Sequence, residues 1–273
     1  FLLLAQNFKI KSMLKKFTFW LIPLLAIILQ ACAVDSVTTY HQDKTTSVLM
    51  NIDMKDLLAM AKNMDGDSAN SDNKFKNFEL FPKNWKNMYE IMQEDSEKKG
   101  IPMTKDKDSI QLIKKMFVKS NFENNEMTGI AFKMDRLTPE EIKNFSRTSK
   151  KSNFISATSS DNTIWDGKTL TLDTEYFNPQ TFSETLKKEM TLEAKTDSAK
   201  AEAESALAMM KMFNTKFNNK IKFETKIKSI QGKHDWVKKI DDYTIDMSFS
   251  FEQLLDESLK LNEKDKKVII ITE

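Results

Sequence analysis

The sequence predicts an α+β fold in which a curved antiparallel sheet, built from hairpins, is backed by several helices. Three features lead there. Apolar and polar residues alternate with period two in short runs, most cleanly from Tyr243 to Phe251. Turn-forming pairs, Asn124-Asn125 and Asp166-Gly167, separate such runs at hairpin spacing. Helix-start signals follow some of the runs, the clearest being Thr138-Pro139-Glu140-Glu141.

The chain has 273 residues, 40% apolar and 30% charged, which suits one large domain or two small ones at roughly 100 to 200 residues each. With 5 Gly and 5 Pro, and neither GxGxxG nor GxxxxGK, no glycine-lined nucleotide site is expected. The net charge of +2 includes Lys9, Lys11, Lys15 and Lys16 near the amino terminus. Without residues 1–31 the balance turns slightly acidic, with both signs interspersed, so no basic stripe is available and nucleic acid is not an expected partner.

The amino-terminal region carries the strongest motif. Met13 is read as the translation start, which makes residues 1–12 upstream read-through. From there Lys15 and Lys16 form a cationic start, Phe17 to Leu29 an apolar run, and Leu29-Gln30-Ala31-Cys32 the end of a signal. This resembles a bacterial lipobox. The resemblance implies cleavage after Ala31 and acylation of Cys32, the chain's single cysteine, which has no partner for a disulfide. Several acyl chains, each buried methylene contributing about 0.8 kcal/mol, would hold the protein stably on a membrane. Pro23 and the short apolar run argue against an uncleaved spanning helix. The expected organisation is upstream read-through and a lipoprotein signal peptide over 1–31, a lipidated tether over 32–36 and a single exported domain over 37–273.

Within that domain a first hairpin is expected over Tyr40 to Ile52, turning at Gln42-Asp43-Lys44, with Thr46, Val48, Met50 and Ile52 on one face. Asp53 then caps a helix whose apolar side carries Leu57, Leu58, Ala61 and Met64. The polar stretch Asp65 to Asn73 reads as a solvated loop, because Ala69 stands where an EF-hand would need a ligand. Phe75, Phe78, Leu80, Phe81, Trp85 and Tyr89 follow as core candidates, and a second hairpin spans Lys115 to Met134 around Asn124-Asn125.

Thr138 supplies the N-cap of the next helix, Pro139 its first position and Glu141 the reciprocal side chain, with Ile142 and Phe145 facing inward. Asp166-Gly167 makes the third hairpin turn, ahead of a strand from Thr169 to Leu172. Ala199, Ala203, Ala206, Met210, Phe213 and Phe217 recur at helical spacing, which predicts one continuous helical face. The alternating run from Tyr243 to Phe251 reads as a strand with one buried face, Glu252 to Ser258 as a helical turn and Val268 to Thr272 as a last strand.

The lipobox, the Tyr40 to Met60 hairpin and helix, the Ile221 to Ile230 strand region and the terminal strands together resemble small lipoproteins of Bacteroidota. Asp43-Lys44 lacks the glycine that such proteins often carry in the first turn. The resemblance implies an envelope location and an α+β architecture.

No catalytic or metal-binding residues are assigned and no cofactor is expected. His41 and His234 are expected to be exposed structural residues, and neither HExxH nor GxSxG is present. Asp241-Asp242 and Glu140-Glu141 read as solvated carboxylates. The leading expectation is therefore a non-catalytic binding or scaffolding lipoprotein, held by its lipid anchor on the periplasmic face of the outer membrane and meeting envelope proteins. The alternative is a carrier of an apolar small molecule, with Met210, Phe213 and Phe217 facing the ligand; an envelope glycan hydrolase comes third.

Overall fold

The computed structural model describes residues 33–56, 58–59, 81–100, 103, 106–149, 163–193 and 215–273. Two sheets and five α-helices make up this part, an α+β fold as expected. The large sheet has the order β10-β11-β8-β1-β2-β5-β4-β3 and the small one β6-β7-β12-β9.

Strands β1 (Ala33–Tyr40) and β2 (Thr46–Asp53) form the first hairpin, turning through the polar residues the sequence singles out. β1 begins at Ala33 rather than Val37, since Val34 alternates with Ser36, Thr38 and Tyr40 on the inward face and is itself buried. β3 (Lys86–Asn87), α1 (Met88–Lys99) and α2 (Lys107–Lys114) lead into the second hairpin, β4 (Met116–Glu123) and β5 (Glu126–Leu137). Asn124 and Asn125 both have positive φ, 49° and 64°, which gives a two-residue turn the right-handed twist of its strands.

The capping residues of α3 (Pro139–Ser149) behave as their types dictate. Glu141 N donates to Thr138 Oγ1 at 3.2 Å, and Thr138 N donates to Glu141 Oε2 at 2.7 Å. The third hairpin, β6 (Thr163–Trp165) and β7 (Thr169–Asp173), turns on Gly167 at φ 103°. A 3₁₀ turn over Glu175–Phe177 precedes α4 (Pro179–Glu193), a helix not among the expected elements although Phe182, Leu186 and Met190 recur at helical spacing.

The remaining elements are β8 (Lys216–Phe223), β9 (Ile227–Gln231), β10 (Val237–Lys239), β11 (Thr244–Ser250), α5 (Phe251–Leu255) and β12 (Lys267–Thr272). Phe217 corrects the helical reading of its segment: it sits in β8, where Phe217, Ile221 and Phe223 alternate inward. Its spacing from Phe213 suits a helix, but its spacing to Ile221 and Phe223 suits a strand, and sheet pairing decides. Tyr243 is exposed in the turn before β11 because pairing starts at Thr244, which is buried.

The sheet departs from the all-antiparallel expectation at one ladder. β1 and β8 run parallel from Ala33↔Lys216 to Tyr40↔Phe223, while the other ladders are antiparallel. The connection between β1 and β8 crosses most of the chain, so neither strand carries a local signal for its partner. One row of paired residues, Asn121, Gly129, Asp53, Ala33, Lys216 and Ser250, defines one end of the sheet. Leu137, Thr46, Tyr40 and Phe223 define the other.

A single core joins the two sheets. Ile52, Ile130, Ile221, Ile245 and Met247 come from the large sheet and Leu170, Leu172, Val268 and Ile270 from the small one. α4 packs on α5 at the Ala33 end, with Phe182 edge-on to Phe251 at 5.9 Å and Ser183 Oγ donating to Glu257 Oε1 at 2.8 Å. Among the described residues no helix is long and apolar enough to cross a membrane.

Candidate functional site

A connected group of polar side chains lies at the Tyr40 end of the large sheet. Three elements stop there: β1 runs into the His41–Thr45 turn, β8 into Glu224, and β5 into Arg136 and Leu137. Beneath them is an aromatic floor. Tyr40 lies 5.4 Å from Trp165 and 5.8 Å from Phe223, and Trp165 Nε1 donates to the His41 carbonyl at 2.7 Å.

His41 follows Tyr40 and is 8% exposed, which corrects the expectation of a surface histidine. Its two ring nitrogens are engaged from opposite sides: Nδ1 stands 2.5 Å from Glu224 Oε1, and Nε2 stands 2.9 Å from Ser47 Oγ. Glu224 Oε2 accepts the Gln42 amide at 2.9 Å. Hydrogen bonding to His41 and to Gln42 N–H holds the Glu224 carboxyl below its ordinary range. Arg136 completes the cluster, reaching Asp43 Oδ2 with Nη1 at 2.7 Å and Glu224 Oε1 with Nη2 at 3.1 Å.

Arg136 is placed by backbone geometry. The β2–β5 register shifts between Thr46 and Val48, and Arg136 adopts φ 46° at that bulge. Its amide donates to Ser47 Oγ at 3.0 Å. Asp43 is held low in pKa chiefly by the Thr45 hydroxyl, with the Thr45 amide and Arg136 adding to it.

Carboxylate, imidazole and hydroxyl stand here in the sequence of a hydrolase relay. The surroundings differ from those of an activated nucleophile. Ser47 lies inside β2, paired with Thr39, rather than on an exposed turn. The Arg136 amide that approaches it is bonded to Oγ itself and so is occupied where an oxyanion would need a free donor. What the arrangement does chemically is fasten three chain segments together, leaving Arg136 and Asp43 half in solvent.

The second histidine, His234, is also buried, at 4% exposure. Its Nδ1 accepts from Trp236 N at 3.3 Å, and burial holds the imidazole pKa down. In each of the two carboxylate pairs read as solvated, one member is engaged. Asp242 pairs with Lys226 at 2.9 Å and Lys239 at 3.0 Å, and Glu141 pairs with Lys115 at 2.7 Å while capping α3.

Ala31, Cys32, Met210, Phe213 and the Asp65 to Asn73 stretch lie outside the described residues. Phe217 is buried and packs on Phe249 at 5.5 Å. A groove of about 390 Å³ lies at the opposite, Ala33 end, lined largely by polar residues, among them Lys216, Asn218, Ser248 and Gln253. Among the described residues no group of three or more His, Cys, Asp or Glu side chains could hold a metal ion.

Sequence reasoning missed Glu224, Ser47 and Arg136. The cue present was His41 beside a turn; the partner 183 residues away becomes visible only through the β1–β8 pairing.

Comparison with known proteins gives little. No family model matches the chain, and no curated protein matches it. Among solved structures, the folded domain of Mycobacterium tuberculosis LppM is similar at 10% identity and a TM-score of 0.36, with 88% of this chain and 90% of that chain covered.

Proposed function

We propose that the chain is a lipoprotein of the cell envelope, cleaved after Ala31 and anchored through acylated Cys32, with a non-catalytic binding or scaffolding role. The observation that carries this reading is the Lys15-Lys16, apolar run and Leu29-Gln-Ala-Cys32 succession, which ends one residue before β1. Cleavage there removes no residue of either sheet. Ala33 standing after the cysteine in place of a retention aspartate, and the lack of an acidic cluster in Ala33-Val-Asp-Ser, support an outer-membrane address on the periplasmic face. The engagement of the Ser47, Asp242 and Glu141 side chains in hydrogen bonds and ion pairs supports binding over catalysis. The face offered to an envelope partner is the turn cluster around Arg136 and Asp43, where Ile240 and Tyr243 are also exposed nearby in the β10–β11 turn.

The test is to express the full chain and its Cys32→Ser variant in a Gram-negative host and to follow membrane partition and the mass of the mature amino-terminal peptide. The wild type should partition with detergent and carry acyl chains on Cys32, while the variant should lose both. An unmodified cysteine in membrane-free protein would overturn the anchor. Native mass spectrometry of the same preparation separates the carrier alternative, which requires a co-purifying apolar molecule.

A further inference from the structure

We infer that the Ala33 end of the large sheet is seated against the phospholipid headgroup layer, with the tip of the β4–β5 hairpin as a second foot beside the acyl anchor. The inference rests on the lipoprotein reading above and adds an orientation to it.

Covalent geometry supplies the first step. Cys32 is bonded to Ala33, so their Cα atoms are about 3.8 Å apart. Ala33 is the first residue of β1, and β1 is an interior strand of the large sheet. It pairs with Asp53 on one side and Lys216 on the other, and Val34 beneath is buried. Freeing a tether from these residues means breaking two ladders and exposing a core valine. An acylated Cys32 therefore brings this end of the sheet to the bilayer surface with no slack.

Register supplies the second. Gly129 of β5 is level with Asp53 and Ala33, but β5 begins at Glu126, so the hairpin runs three residues beyond that row. At about 3.3 Å per residue the tip projects roughly 10 Å farther, and it stands two to three strand spacings, about 10 to 15 Å, to the side of β1. Anchor and tip thus make two separate points of support.

The tip's chemistry suits a headgroup layer. Its turn is the uncharged pair Asn124-Asn125, and Phe122 just behind is 42% exposed with Lys83 Nζ 5.0 Å above its ring. An aromatic ring beside a long cationic chain fits the boundary between headgroups and acyl chains. Lys55 is paired with Glu123 at 2.6 Å, and Asp53 and Glu126 lie nearby, so the described residues of this end make no basic patch that would seek anionic lipid. The occupant it fits is a zwitterionic phospholipid surface. The opposite end, with His41, Arg136 and Glu224, then points away from the membrane.

The single native cysteine is consumed by acylation, so one added cysteine can be labelled selectively. The full acylated chain is reconstituted into phosphatidylcholine–phosphatidylethanolamine vesicles containing a headgroup-level quencher. A fluorophore is placed on Glu126→Cys in one preparation and on Lys168→Cys, in the far turn cluster, in the other. Several-fold stronger quenching at position 126 is expected. A third protein carries a spacer of about ten Gly/Ser residues between Cys32 and Ala33, with a free reach of roughly 17 Å, and the difference should shrink. Equal quenching at both positions on acylated protein overturns the orientation alone. A difference unchanged by the spacer overturns the short anchor as its cause. A mass showing Cys32 unacylated overturns the lipoprotein reading and the orientation with it.

Discussion

His41 Nδ1 stands 2.5 Å from Glu224 Oε1 across 183 residues of sequence, linking the first turn of the chain to the end of β8. Both residues directly follow strands that pair in parallel, and the Glu224 amide donates to the Tyr40 carbonyl at 3.3 Å. The side-chain contact therefore closes the end of the parallel ladder. Because His41 is buried, its loss removes one hydrogen bond each from Ser47 and Glu224 as well as leaving a void.

His41→Ala is expected to destabilise the protein by about 1 to 3 kcal/mol in chemical denaturation, the cost of two lost hydrogen bonds, one of them to a carboxylate, and of the void left behind. Glu224→Gln should cost less, because its carboxylate is partly in solvent. The double variant should be less destabilised than the sum of the two, with a coupling of roughly 0.5 to 3 kcal/mol. Strict additivity would show that the 2.5 Å contact does not join the two segments energetically.

Gly129 is required for a different reason. A Cβ on it would lie 2.0 Å from the Ile52 carbonyl oxygen, a backbone atom of a paired strand that has no flexible end to swing aside. Gly129→Ala should therefore lower stability by about 1 to 3 kcal/mol or more through overpacking, despite replacing the residue least suited to strands. A Gly129→Ala protein with an unchanged denaturation midpoint would mean that β2 and β5 are not in this register.

The Asn124-Asn125 turn allows a test with opposite signs. Position 125 has φ 64°, where glycine is free of strain and a β-branched side chain is not. Asn125→Gly should leave stability unchanged or slightly higher, whereas Asn125→Val should cost about 1 to 2 kcal/mol. If both substitutions shifted the thermal midpoint alike, the left-handed turn would be wrong.

Local rules read well wherever neighbours in sequence are neighbours in space. The Asn124-Asn125 and Asp166-Gly167 turns, the Thr138–Glu141 capping box and the alternation through Ile245, Met247 and Phe249 all depend on contacts a few residues apart. They stand in the structure as their residue types dictate. Long-range pairing left no comparable trace. β8 pairs with β1 through Phe217, Ile221 and Phe223, yet Phe217 also completes a helical spacing with Phe213, and only the partner strand resolves the ambiguity. His41 looked like a turn residue on the surface because Trp165, which bonds its carbonyl, and Glu224, which bonds its ring, arrive from two remote segments. The sheet was thus legible strand by strand, and its order and polar cluster were not.

Acidification should weaken the protein in two steps. His234 is buried and its Nδ1 accepts the Trp236 amide, so the folded state favours neutral imidazole. Burial lowers its pKa from 6.5, outweighing the opposing pull of Asp235. The unfolded chain then binds a proton that the folded chain refuses, so stability declines as pH falls below 6.5. His234→Asn keeps an acceptor near Trp236 N but cannot titrate, and should flatten this first decline in denaturation midpoints measured at several pH values. A second decline belongs to carboxylates held low by partners: Glu224 by His41 and Gln42 N–H, Asp166 by the Thr169 and Lys168 amides. Their contribution is present above the ordinary values of 4.5 and 3.8, and is lost as each is protonated below them. Glu224→Gln should reduce only this lower step, and a variant that instead altered the step below 6.5 would reassign the titrating group.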